Sequence, residues 1–327
     1  MLTDHGAELL VALRRTLRRW ECETDGTHVT FRQRNHGLHV SPRLAPSWQQ
    51  LLDGLSGACA DHGIAQGYPL PLRGLGDADL TFSAVQALDP YLKRRQLHTY
   101  GVGYIPQPVV RFTGDRNDDG DLLPGFATSF VNVSLVQPVP SVDEHAALID
   151  IWLSVLSRIG FHTQHLTISG SLAIWHRPPV AGVTLHIRHQ QLALGDAVLL
   201  MNADDPTFLA TDIGSGLERL RWALTGRSWE NTVYGHLADA ATNATLDAIR
   251  TATLIVGSGI TPASRGAGSS VRRLLRPQTT GPGSPGSLGF SRAVRWAHEY
   301  WSMVRPLAVP WPEVCRILDD ETRSCGD

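Results

Sequence analysis

The stretch Phe208-Leu-Ala-Thr-Asp212-Ile-Gly214-Ser-Gly216-Leu217-Glu-Arg219-Leu220 constrains this chain more than any other. It predicts a short strand that ends in a glycine-hinged turn and runs straight into a helix. Gly214 and Gly216 allow backbone conformations closed to other residues. From Leu217 on, Leu217, Leu220 and Leu224 recur at helical spacing. Asp212 is then expected at the end of the strand and Arg219 on the first turn of the helix, both able to face whatever lies over the sheet. A guanidinium held there suits a polyphosphate, because its fixed fork of donors matches phosphate oxygens and its charge does not titrate away. The same pattern also fits an ordinary surface arginine, with Asp212 capping the helix.

Residues 212–220, Asp-Ile-Gly-Ser-Gly-Leu-Glu-Arg-Leu, resemble motif 3 of class II aminoacyl-tRNA synthetases in the form carried by the alanyl-tRNA synthetase family. Two further segments resemble that family in the same order. Residues 244–276 look like its helix, glycine loop and twin-arginine helix. Residues 77–92 look like its early catalytic segment of strand, helix start and Pro90-Tyr91 step. The resemblance spans residues 48–277. It implies an α+β fold, a class II synthetase-like antiparallel sheet flanked by helices and followed by a small helical domain. The activity it implies is ATP-dependent activation of an amino acid and transfer to the tRNA 3′ end, in a form lacking the family's editing domain.

Roles carried over from the resemblance fall on particular residues. Gln107-Pro-Val-Val-Arg111-Phe-Thr-Gly-Asp115 looks like the motif 2 strand, so Arg111 is expected on the α-phosphate, with Asp115 or Asp118 assisting. Arg219 is expected on the terminal phosphates, beside the Gly214 and Gly216 backbone, and Phe130 under the adenine. Asp212 matches the acid that binds the amino-acid ammonium group; Asp196 and Trp175 are further candidates for that pocket. Arg265, Arg272, Arg273 and Arg276 are expected to meet the tRNA acceptor stem through phosphates and minor-groove edges. Charge builds on the α-phosphate as pyrophosphate leaves, and pre-placed arginines stabilise that charge most in the transition state. Mg²⁺ is expected to arrive with ATP.

Several positions depart from the family. Its motif 2 glutamate is Val131 here. Its cysteine-rich, acid-bearing loop is replaced by Val180-Ala-Gly-Val-Thr-Leu-His186-Ile, and its pocket Trp-Asn pair falls near Gly195-Asp196-Ala197. The lost tryptophan leaves room for a substrate larger than alanine, and Asp196 favours one with a second donor or positive charge. An acceptor other than tRNA, a small molecule or a carrier protein, is therefore a second reading. A non-catalytic tRNA-binding protein is a third, and retention of both Arg111 and Arg219 argues against it.

Composition agrees with a globular protein: 327 residues, 42% hydrophobic, 18% charged, net charge −2. Nucleic-acid contact would need a local basic patch. The four cysteines Cys22, Cys59, Cys315 and Cys325 form no Cys-x-x-Cys pair and read as reduced thiols. No apolar run approaches membrane-spanning length and no signal peptide is evident, so a cytoplasmic location away from membranes is expected. His186 and His189, three apart on an alternating strand, are expected to face opposite ways, and His162 and His165 have no acid nearby, so no protein-held metal is expected.

Along the chain the expected parts are a divergent segment at 1–46, a catalytic domain at 47–235, a helical tRNA-recognition-like region at 236–277, a Gly/Pro/Ser-rich linker at 278–290 and a helical segment at 291–327. Helices are predicted at 7–20, 47–62, with Leu51, Leu52, Leu55 and Cys59 on one face, and 142–159 from a Ser141 cap. A weak hairpin is predicted at 28–41 and strands at 106–113, 126–136, 183–188 and 197–201.

Overall fold

The computed structural model describes residues 2–33, 44–75, 78–118, 121–276 and 287–326. It is a mixed α+β structure on a nine-stranded sheet. The strands are β1 (Trp20–Asp25), β2 (His28–Gln33), β3 (Gly103–Val110), β4 (Ser129–Pro138), β5 (Leu166–Ser171), β6 (Trp175–Arg177), β7 (Val180–His189), β8 (Leu192–Asn202) and β9 (Leu209–Gly216). Their order is β1-β2-β5-β7-β8-β9-β4-β3, with β6 paired to β7. From β1 to β4 every neighbouring pair along that order is antiparallel.

Two compact units divide the chain. The first comprises Met1–Tyr68, Ala84–Pro106 and Asn132–Gly226; the second comprises Pro69–Ser83, Gln107–Val131 and Arg227–Asp327.

In the first unit the strands alternate between a buried apolar face and a polar one, as period-two side chains require. Ile168, Val183, Leu185, Ile187, Ala197, Leu199 and Ile213 are fully buried on one face. Helix α4 (Val142–Arg158) packs against β8 and β9, α5 (Leu217–Thr225) packs beside it on the same strands, and α1 (Leu2–Thr16) and α2 (Trp48–Asp61) pack on α4. Burial of each large aliphatic side chain in such a layer contributes about 1.5–3 kcal/mol. Ser47 caps α2 in a closed box: its hydroxyl accepts the Gln50 N–H at 3.1 Å and the Gln50 side chain accepts the Ser47 N–H at 2.8 Å. The Ser141 hydroxyl accepts the Glu144 N–H and starts α4.

Local expectations shift at several points. Helix α1 stops at Thr16, because Trp20 already pairs with Gln33 in the β1–β2 hairpin; its turn uses Gly26 at φ 57°, a conformation suited to glycine. The hairpin thus lies earlier than residues 28–41, of which 34–41 are outside the described residues. Where a strand was expected early in residues 77–92, the described residues carry only an isolated bridge, Arg73 to Leu80, followed by a 3-10 turn at Ala84–Leu88 and helix α3 (Asp89–Arg94).

The second unit is built around α7 (Asn243–Gly257), in which every residue from Thr245 to Gly257 is buried. Helices α8 (Ser269–Leu275), α9 (Ser287–Val304) and α10 (Trp311–Gly326) pack on α7. A helix buried all round has no solvated face for its polar residues. Asp247, Arg250, Thr251 and Thr253 therefore lie in the core, where the first three hydrogen-bond to Thr128 or Ser129. Arg250 donates to the Ser129 carbonyl and lies over the rings of Tyr300 and Trp301, at 4.7 and 4.4 Å. The Trp301 indole returns a hydrogen bond to the Arg250 carbonyl at 3.0 Å. Of the expected linker, residues 278–286 lie outside the described residues, while 287–290 already belong to α9.

Candidate functional site

The polar face of the first unit's sheet gathers the predicted amino-acid residues. Direct pairing sets His186 opposite Asp196, Asp196 opposite Gly214, and Gly214 opposite Ser134; the adjacent row runs Thr184, Val198, Asp212, Val136. Residues in the two rows share a face because they are two apart along each strand. Asp212 is half-buried in the middle of β9, with Val198 and Val136 on its flanks. It is not a helix cap: Gly216 holds the cap position of α5.

Gly214 and Gly216 do not form a turn. Both are strand residues, Gly216 is extended at φ −83° and ψ 129°, and β9 passes directly into α5 at Leu217. What Gly214 supplies is space rather than a special dihedral angle. A Cβ there would meet the Ser134 Oγ at 2.1 Å, and one on Gly195 would meet the Gly214 carbonyl oxygen at 1.8 Å. Arg219 lies on the first turn of α5 and is half-buried, with Leu217, Leu220 and Leu224 buried on the opposite side.

At the β6 side of the same face, the Trp175 indole N–H donates to the Thr184 hydroxyl at 2.9 Å, and the Arg177 guanidinium lies 5.6 Å from its ring centre. Gly182 makes room for the ring, since a Cβ there would come within 2.7 Å of it. His186 Nδ1 shares a hydrogen bond with Asp196 Oδ1 at 2.7 Å, both side chains being 55% exposed. The sequence offered His186 only as a metal candidate. Its partnership with Asp196 depends on the β7–β8 register, which short-range spacing does not reveal. His189 lies on the opposite, buried face of β7, as alternation requires; the register shift between Ile187 and Arg188 skips Leu194 of β8 and leaves the β7 alternation intact. Its ring is buried against Phe161 and His165. Burial, and then the neighbouring His165, hold it down to about 4. Among the described residues no three His, Cys, Asp or Glu side chains cluster as a metal site.

Arg111, Asp115 and Phe130 belong to the second unit. Arg111 is not mid-strand among apolar neighbours. It follows the end of β3, its side chain is exposed, and no burial penalty has to be offset. Its Nη2 donates to the Phe82 carbonyl at 2.8 Å and its guanidinium lies 5.3 Å from the Phe130 ring centre. Asp115 and Asp118 are exposed in the loop beyond it. That loop closes on itself: the Leu123 N–H donates to the Asp115 carbonyl, and the Asn117 side chain accepts the Asp121 N–H.

The basic segment of the second unit is unevenly exposed. Arg272 Nε lies 2.7 Å from Glu321 of α10, whose side chain is 11% exposed. The Arg273 guanidinium sits 3.8 Å over the Phe112 ring. Arg265 and Arg276 are exposed. Sequence reading passed over Asp247 and Arg250; polar residues inside an otherwise apolar helical run were the available signal.

Fold and site together define a mixed α+β protein whose antiparallel sheet presents a polar face bearing Asp212, Asp196, His186, Thr184 and Trp175. No protein-family model matches the chain, and no curated protein matches its sequence. None of the described helices is long and apolar enough to cross a membrane.

Proposed function

We propose that this chain is a class II synthetase-like enzyme that activates an amino acid with ATP and passes the aminoacyl group to an acceptor, the tRNA 3′ end. One observation carries the reading. Strand β9 runs unbroken into α5, so Asp212 is fixed on the polar face of an antiparallel sheet and Arg219 on the helix turn that follows. That arrangement suits the order of residues resembling motif 3.

In this reading Asp212 holds the substrate ammonium group, and Trp175, Thr184 and Asp196 shape the space for its side chain. A substrate carboxylate oxygen attacks the α-phosphorus, and pyrophosphate leaves. Arg219 neutralises the charge that builds on the phosphates. An acceptor hydroxyl then attacks the activated carbonyl and AMP departs. Mg²⁺ would travel with the nucleotide and supply a further positive charge on its phosphates.

A second reading keeps the activation step and changes the acceptor to a small molecule or carrier protein. It is favoured by the internal engagement of both twin arginines, Arg272 with Glu321 and Arg273 with Phe112.

The test is amino-acid-dependent ATP–pyrophosphate exchange across proteinogenic and non-proteinogenic amino acids, with and without bulk tRNA. Exchange with one amino acid, reduced about 10²–10³-fold by Arg219→Ala, is expected. Aminoacylation of tRNA selects the first acceptor; exchange without it selects the second. No exchange by folded protein would overturn both.

A further inference from the structure

The second unit contains a cavity of about 330 Å³ that the activation chemistry does not use. Its walls include Phe112, Phe126, Trp229 and Tyr234, and its polar lining includes Asp247, Arg116 and Arg273. Asp247 is the unusual member. It is 6% exposed and takes a hydrogen bond at Oδ1 from the Thr128 N–H at 2.9 Å. Arg250 and Arg116 lie near enough to act on it through charge. A carboxylate has about four acceptor sites, so the bonds from Thr128 leave acceptor capacity at a side chain that lines the cavity. Burial raises its pKa, and Thr128, Arg250 and Arg116 only partly oppose that rise. A buried carboxylate left this way is costly unless a cation or strong donor comes to it.

We propose that this cavity binds a small amphoteric molecule, with an ammonium group on Asp247, an aromatic or apolar body between the four rings, and an anionic group on Arg116 and Arg273. Each part of the ligand answers a feature of the wall. The carboxylate lies at the buried side, and the two arginines are exposed. Arg273, already stacked on Phe112, presents its guanidinium edge, where its N–H donors point, to an incoming carboxylate or phosphate. The aromatic surfaces favour a flat body over a purely polar one. The site does not depend on the synthetase reading: Asp247 and the four rings have no part in it.

The test is calorimetric titration of the full chain with L-phenylalanine, phenethylamine and 3-phenylpropionate. Each is run on the wild-type protein and on Asp212→Ala, which silences the amino-acid position assigned in the first unit. L-Phenylalanine is expected to bind saturably in both proteins. Phenethylamine should bind about tenfold more weakly, having lost the anion contact, and 3-phenylpropionate not measurably. Asp247→Asn should weaken L-phenylalanine binding at least about tenfold. Ala244→Trp, an exposed position in the cavity lining, should block it without disturbing the buried network. The second variant keeps the test decisive if the first does not fold. No saturable binding at millimolar concentrations, binding indifferent to both cavity variants, or 3-phenylpropionate binding as tightly as the amino acid would each overturn the proposal. Binding that vanishes in Asp212→Ala but ignores both cavity variants would overturn the cavity alone and leave the activation reading standing.

Discussion

Gly214 lies directly opposite Ser134 in the β4–β9 ladder, and a Cβ on the glycine would come within 2.1 Å of the serine hydroxyl oxygen. That hydroxyl accepts from the Asn132 side chain at 2.9 Å, and Asn132 in turn accepts the Ala84 N–H at 2.9 Å. The added methyl would also lie 3.0 Å from the Ser134 Cβ, so rotating the hydroxyl does not relieve the clash. Gly214→Ala should therefore destabilise the protein by about 1–3 kcal/mol. Ser134→Gly in the same chain should recover part of the loss. Urea midpoints of the two single variants and the double variant measure this; a fully stable Gly214→Ala would show that the strands are looser than described.

Acid sensitivity should trace in part to His145. Its side chain is wholly buried between α4 and the sheet, with Nδ1 2.6 Å from the Thr211 hydroxyl and Nε2 without a hydrogen-bond partner. Burial lowers its pKa from 6.5 to about 3. The neutral form is favoured in the fold, so the unfolded chain binds one more proton between those two values. Its contribution is complete above pH 6.5 and falls as pH drops toward 3, at about 1.4 kcal/mol per unit. His145→Gln should flatten the dependence of the urea midpoint on pH through this range. An unchanged slope would mean that the ring already takes a proton in the folded state.

Arg250 is 1% exposed yet carries a full charge. Its guanidinium donates to the Ser129 carbonyl and lies over two aromatic faces. Arg250→Ala should cost about 3–5 kcal/mol, through the cavity it leaves and the carbonyl it strips of a donor. Lysine keeps the charge but lacks the flat, weakly hydrated plane that stacks on Tyr300 and Trp301. Arg250→Lys should consequently restore less than half of the loss, read by tryptophan fluorescence during unfolding. Full rescue by lysine would reduce the stacking to a by-product of packing.

How far the sequence revealed these features depended on the range of the interactions behind them. Helix caps are local, so Ser47 and Ser141 marked the starts of α2 and α4 correctly. Period-two alternation marked β7, and leucine spacing marked α5. The glycines of β9 were misread as a turn because their purpose lies across the sheet: Gly214 yields to Ser134, about 80 residues away in the chain. Arg111 was read as a strand interior because Val109 and Val110 precede it, but β3 ends at Val110. The His186–Asp196 pair and the buried Asp247–Thr128 bond rest on register and tertiary packing, for which one chain gives no local sign.

The basic segment gives a test of the acceptor. Arg272 is committed to Glu321, so Arg272→Ala should lower stability more than it changes any electrostatic attraction. Arg265 and Arg276 are exposed. If tRNA is the acceptor, replacing either by alanine should weaken binding across tRNA sequences and reduce the salt slope by about 1. Filter binding over a range of salt concentrations reads both quantities. Slopes untouched by Arg265→Ala and Arg276→Ala would move the acceptor to a small molecule or a carrier protein.

If the chain activates amino acids as proposed, substrate choice should divide between the two acids of the sheet's polar face. Asp212 sits among Val136, Val198 and the bare Gly214, half-buried, where a charge-assisted hydrogen bond to an ammonium group is strong. Asp196 is more exposed and already shared with His186. Asp212→Asn keeps the shape and removes the charge, so exchange with every amino acid should suffer, with KM for the amino acid rising about tenfold to a hundredfold and KM for ATP little changed. Asp196→Asn should instead reorder preference among amino acids, because it also alters what His186 Nδ1 can donate to or accept from. The diagnostic is the ratio of kcat/KM between a cationic and a neutral substrate. It should shift in Asp196→Asn and His186→Gln and stay constant in Asp212→Asn. A constant ratio in all three would place the side-chain pocket elsewhere on the sheet and leave the His186–Asp196 pair a surface contact worth about 1 kcal/mol or less.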